Sequence, residues 1–217
     1  MAELMRESGG PERTVQALRR FGKNERAVAP GMKALAVQME GYAVGECGES
    51  LREEISGLAM EGVRGYQEHG GIFQSACKLI EWVASDRQAA QRICDEENIL
   101  AFILGVRLHK NDPEVLLAGL NGLRALARVS PLLRNIVRQQ RLSLVDLVVG
   151  MLGGNLAIKE AAAELFSFVV LDGDQVSDNT PGSGGRGSSE DLSAGTADQE
   201  SLDTDTSTSN QLGFDYV

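Results

Sequence analysis

The stretch 115-VLLAGLNGLRALA-127 decides the class of fold. Its leucines and alanines recur at three- and four-residue spacing, the period of a helix with one apolar face. Yet Gly119 and Gly122 sit in its interior, where each costs about 1 kcal/mol relative to alanine. Three other stretches share the design: 27-AVAPGMKALAVQM-39, 71-GIFQSACKLIEWV-83 and 158-IKEAAAELFSFV-169. Aligned on Leu35, Leu79, Leu123 and Leu165, they recur at intervals of 44, 44 and 42 residues. Four positions before the leucine the column reads Gly31, Ser75, Gly119 and Ala161, small in every case. A small-residue column predicts a close helix contact, which gives Gly119 a reason. Gly122 has none, because its column holds Ala34, Lys78 and Glu164, residues of no fixed size.

The segments between these helices also correspond. The stretch 92-RICDEENILAFILGV-106 parallels 135-NIVRQQRLSLVDLVV-149, with Ile93 and Ile136 leading, then Ile99 and Leu142. Asp112-Pro113-Glu114 and Ser130-Pro131 each place a capping side chain before a proline at the first helical position, where its missing N–H is no loss. Gly153-Gly154-Asn155 marks a further break between helices. From residue 12 to 171 helical spacing dominates and alternating β-branched runs are scarce, so the expected class is all-α. Each unit reads as a short helix, a second helix and a longer third one. Such a unit cannot bury its own apolar face, and neighbours must stack to form a continuous core.

Charge divides the chain unequally. Of a formal net charge of −10, residues 172–217 carry −9, while residues 1–171 hold 21 acids and 20 bases. Residues 173–213 are too polar and too poor in aromatics to bury a core, so the expectation there is a disordered acidic tail. The expected organisation is a flexible N-terminus over 1–11, helical repeats over 12–171 and the tail over 172–217. Three cysteines in no paired spacing and no apolar leader or span argue for an intracellular chain, cytoplasmic or nuclear, with no membrane span.

On these residues the sequence resembles the armadillo-repeat family, with HEAT solenoids close behind. Third helices of that family carry two small residues, two variable ones and then leucine, and 118-AGLNGLRALA-127 and 160-EAAAELFSFV-169 look like this. The loop 134-RNIVRQQRLSLVDLV-148 is similar to the family's entry into its second helix, with Gln140 or Arg141 in place of the usual glycine. The resemblance implies a right-handed α-solenoid of about four repeats and a concave groove lined by third helices. By column, that lining would be Ala29, Lys33 and Val37; Phe73, Cys77 and Glu81; Leu117, Asn121 and Ala125; Lys159, Ala163 and Ser167. The recurring Trp and Asn with which such proteins hold basic import signals are missing from these columns, which disfavours that cargo. Phe73 and Leu117 would be exposed contacts for a peptide or would pack on neighbouring helices.

Other features point less sharply. Trp82 shares a column with Gln38, Leu126 and Phe168 and reads as core. His69 and His109 fall at the ends of second helices, where donors meet terminal carbonyls. Cys77 would face the groove, with no cation placed to activate it. The glycine-rich 181-PGSGGRGSSED-191 lacks the context of a phosphate cradle and reads as linker. No catalytic arrangement or metal spacing occurs, so the expectation is no enzyme and no cofactor. Five arginines, Arg124, Arg128, Arg134, Arg138 and Arg141, occur without an intervening acid. They are either a solvated helix face or an acceptor for acidic peptide, phosphate or nucleic-acid backbone. The near-neutral repeat region speaks against nucleic acid. In the tail, Thr180-Pro181 and Ser188-Ser189-Glu190-Asp191 resemble kinase sites, and Asp215, Tyr216 and Val217 resemble a ligand for PDZ domains. The expected function is a non-catalytic scaffold or adaptor that binds a protein segment through the groove or the arginine face, in competition with the acidic tail.

Overall fold

The computed structural model describes residues 9–22, 24–139 and 155–171, all within one compact unit, Met1–Asn179. Among them the secondary structure is all helical, with no strand. The helices are α1 (Gly10–Phe21), α2 (Glu25–Met39), α3 (Glu49–Gly65), α4 (Gly70–Val83), α5 (Arg87–Ile93), α6 (Glu96–Leu108), α7 (Pro113–Val129), α8 (Pro131–Gln139) and α9 (Leu156–Leu171), with a 3₁₀ turn at Val44–Glu46. The first helix takes in Gly10 and Pro11, two residues earlier than the expected boundary. The expected tail, and Arg141 with it, lie outside the described residues.

The capping signals act as their chemistry requires. Asp112 accepts from the backbone N–H of Glu114 and Val115 at the start of α7, and Ser130 Oγ accepts from Leu133 N–H at the start of α8. Asn155 accepts from Ala157 N–H before α9. Asp86 opens α5 by accepting from Gln88 and Ala89 N–H, and its other oxygen pairs with Arg52 of α3. The Ala89 N–H first, then that of Gln88 and the Arg52 guanidinium, hold the Asp86 carboxyl below its usual value against the opposing effect of burial. A carboxyl lowered in the folded state stabilises fully above its unfolded value, and that stabilisation is lost as pH falls through the folded value. Asp86→Asn keeps a cap acceptor but no titrating charge. Its denaturation midpoint should therefore fall less steeply than wild type between about pH 6 and pH 2. Equal slopes would remove Asp86 as a source of acid sensitivity. Asp86→Ala loses the cap and is expected to cost about 1 kcal/mol.

Packing runs in two rows. The four longer helices aligned in the sequence, α2, α4, α7 and α9, pack consecutively, and α1, α3 and α6 form a second row behind them. Contacts at both ends fix the direction of α4 against α2. His69, which caps α4, lies 3.4 Å from Glu25 at the start of α2, and Trp82 near the end of α4 donates to the carbonyl of Tyr42 just beyond α2. The neighbours α2 and α4 are therefore parallel. Short α5 and α8 close two of the turns, and the 3₁₀ turn stands where the preceding unit would have its short helix.

The aligned columns behave alike in space. Leu35, Leu79, Leu123 and Leu165 are each 0% exposed. In the small column, Ser75, Gly119 and Ala161 are buried and Gly31 is half-buried. Ser75 Oγ satisfies itself on the Gly71 carbonyl one turn back, so its burial leaves no unpaired hydroxyl. A Cβ at Gly119 would approach Val106 Cγ2 of α6 to 2.6 Å, and one at Gly31 would approach Leu18 Cδ2 of α1 to 2.6 Å. At Gly31 and Gly119 the second row thus leaves no room for a side chain. Gly119→Leu is expected to overpack that contact at a cost of about 1–3 kcal/mol, read as a lower thermal midpoint; an unchanged midpoint would refute the column register. Gly122 also has a reason that its column does not show. A Cβ there would lie 2.7 Å from Phe102 Cζ and 3.3 Å from the Cys77 carbonyl, so α6 and α4 both press on that spot.

Candidate functional site

Between α2 and α4 the surface opens into a groove of about 590 Å³. Ala29, Pro30, Lys33, Val37 and Glu40 line it from the α2 side, and Gln74, Lys78, Glu81, Trp82 and Ser85 from the α4 side. The spacing of these residues explains why they meet. Lys33 and Val37 lie four apart on one face of α2, with Glu40 just past its end; Gln74, Lys78 and Glu81 lie four and three apart on α4, with Ser85 just beyond it. Parallel packing then sets the two faces side by side. Val37 is 54% exposed, an apolar side chain that the fold leaves uncovered in the groove wall. Trp82 is half-buried: its ring packs on the core, while its indole N–H is fixed at 2.7 Å to the Tyr42 carbonyl.

Four of the expected lining residues, Ala29, Lys33, Val37 and Glu81, do line this groove. Phe73 and Cys77 do not, and the expectation that they face it is corrected. Both are 0% exposed. Phe73 makes an edge-to-face contact with Phe102, centroids 5.8 Å apart, and stacks at 5.5 Å on His109. The Phe73 ring points away from the groove, toward α6 and α7. Burial pushes the Cys77 thiol well above its ordinary pKa, and those of Cys47 and Cys94 up as well. A protonated thiol is a poor nucleophile.

Further along the row, Leu117, Asn121 and Ala125 of α7 are half-buried, as is Lys159 of α9, while Ala163 and Ser167 are exposed. The four arginines of the series among the described residues are already engaged. Arg124, 21% exposed, lies between Glu81 of α4 at 3.8 Å and Glu164 of α9 at 3.0 Å. Glu164 also takes Arg128 at 3.4 Å, and the Arg128 guanidinium sits over Phe168 at 5.7 Å. Arg134 donates to the Ala127 carbonyl and Arg138 to the Val169 carbonyl, both in last turns of helices whose carbonyls have no helical partner. These side chains tie α4, α7, α8 and α9 together. Asp215, Tyr216 and Val217 lie outside the described residues. His109 Nε2 donates at 2.7 Å to the Gln67 carbonyl, two residues beyond α3, close to the expected role of a donor at a helix end.

The residues missed in the sequence are Gln74, Lys78, Ser85, Glu40 and Trp82 as a wall. One signal was present: the Trp82 column begins with polar Gln38, so nothing large and apolar precedes it to cover the ring. Among the described residues no helix is long and apolar enough to cross a membrane, and no group of three or more His, Cys, Asp or Glu is placed to hold a metal ion. The chain matches no family model, no curated protein and no solved structure.

Proposed function

We propose that the chain is a non-catalytic protein-interaction module, a right-handed α-solenoid of about four armadillo-like repeats that holds an extended segment of a partner protein in the groove along its longer helices. The observation that carries this reading is the groove between α2 and α4, long, open and walled by uncovered Val37 and half-buried Trp82. Apolar walls with a few polar groups are what a peptide site needs. The parallel pair α2 and α4 and the buried leucine column support the repeat reading. Among the described residues, Arg124, Arg128, Arg134 and Arg138 are spent on carboxylates and carbonyls within the chain, which favours the groove over the arginine face.

A random-peptide library displayed against the full chain tests this. Enriched peptides should shift the emission of Trp82, the single tryptophan, and should lose about tenfold or more in affinity on Val37→Glu, which puts a charge into the apolar wall. No enrichment, or enriched peptides indifferent to Val37→Glu, would overturn the reading.

A further inference from the structure

The groove has a charge order along its axis. Lys33 and Lys78 are exposed on facing helices, and neither has a carboxylate partner among the described residues. One turn toward the C-terminal ends stand Val37 and Trp82; Glu40 and Glu81 lie at that same end. Because α2 and α4 run in the same direction, the two lysines fall toward one end and the two glutamates toward the other. The like charges thus add across the groove and do not cancel.

Spacing converts this order into a ligand. Lys33 to Val37, and Lys78 to Trp82, is four residues of helix, a rise of about 6 Å. An extended peptide advances about 3.3 Å per residue and points alternate side chains to the same side, so residues two apart face the groove about 6–7 Å apart. We propose that the groove selects a partner segment carrying Asp or Glu two residues from a large apolar side chain, the carboxylate between Lys33 and Lys78 and the apolar group against Val37 and Trp82. Past Val37, exposed Glu40 at the end of α2 repels a second acid and favours a base, while Glu81, level with Trp82, is shared with Arg124 at 3.8 Å. This assignment rests on the groove reading above and adds to it the chemistry of the occupant.

The test uses the full chain and three synthetic peptides with the cores Asp-Ser-Leu-Ser-Lys, the reversed Lys-Ser-Leu-Ser-Asp, and Lys-Ser-Leu-Ser-Lys, with binding followed by calorimetry and Trp82 emission. One of the two Asp peptides is expected to bind more tightly than the Lys-only peptide, by about fivefold to tenfold at low salt. In the double variant Lys33→Glu, Lys78→Glu, both changes at exposed positions, that preference should invert. Equal affinities, or a preference for the Lys-only peptide in wild type, would overturn the charge assignment. If Val37→Glu then still weakened all three, the groove reading would stand without it. Absence of binding by all three overturns the assignment, and the library experiment decides the groove separately.

Discussion

Phe73→Ala is expected to lower stability by about 3–5 kcal/mol, the range for emptying a buried aromatic site, with a matching fall in the thermal or urea midpoint. The ring is fully buried and meets two helices besides its own, α6 with its terminal His109 and α7. Phe102 of α6 meets its face edge-on, His109 stacks beside it, and α7 approaches through Gly119, where a Cβ would sit 3.7 Å from Phe73 Cε1. Helices on three sides are held apart by their own packing and cannot all collapse inward, so a cavity remains and its cost adds to the lost transfer energy. Phe73→Leu keeps most of the volume and should cost less than half as much. A midpoint for Phe73→Ala within error of wild type would mean that the ring is not enclosed as described.

Gly105→Leu is expected to cost about 3 kcal/mol, at the upper end for overpacking. A Cβ at this position falls within the edge of the Phe73 ring. Alanine at an exposed helical site gains about 1 kcal/mol over glycine, but here the clash is with a ring that has no free direction, so Gly105→Ala should also destabilise. The two sites are predicted to be strongly coupled. In a Phe73→Ala background the space facing Gly105 is empty, and Gly105→Leu should then cost far less or recover stability. Additive effects of the two substitutions in a double-mutant cycle would rule out their contact.

Both predictions concern residues whose roles the sequence described incompletely. The leucine column and the small column were legible because a repeated unit places equivalent residues at the same depth each time, and burial of all four leucines follows from that repetition. Caps were legible because Asp112 and Ser130 act on N–H groups two or three residues away; Asn155, read only as part of a break, caps α9 in the same way. The groove was legible only in part. Lys33, Val37 and Glu81 were placed in it by column, but Phe73 and Cys77 of the same columns are buried. A column states which residues are equivalent, and it does not state how far each helix is rotated about its axis. That orientation is set by what each helix packs against, and α4 is flanked on both sides in its row and backed by α3. Trp82 shows the converse: a side chain typed as core is half-exposed because the position before it in the row offers no large apolar cover.

Two glycines in one helix separate the two kinds of knowledge. By itself, the sequence determined that this part of the chain is helical, that its longer helices recur about every 44 residues, and that Gly119 stands where small residues recur. Only the tertiary structure decided Gly122, because the Phe102 ring and the Cys77 carbonyl that exclude a side chain there come from two other helices and have no counterpart in the periodic columns. Likewise the arginine series is visible in the sequence as charge, but its partners Glu81, Glu164 and the terminal carbonyls are brought to it by folding. Periodicity carries contacts that every unit repeats; contacts made once depend on the particular side chains that meet across helices, and those are fixed by packing.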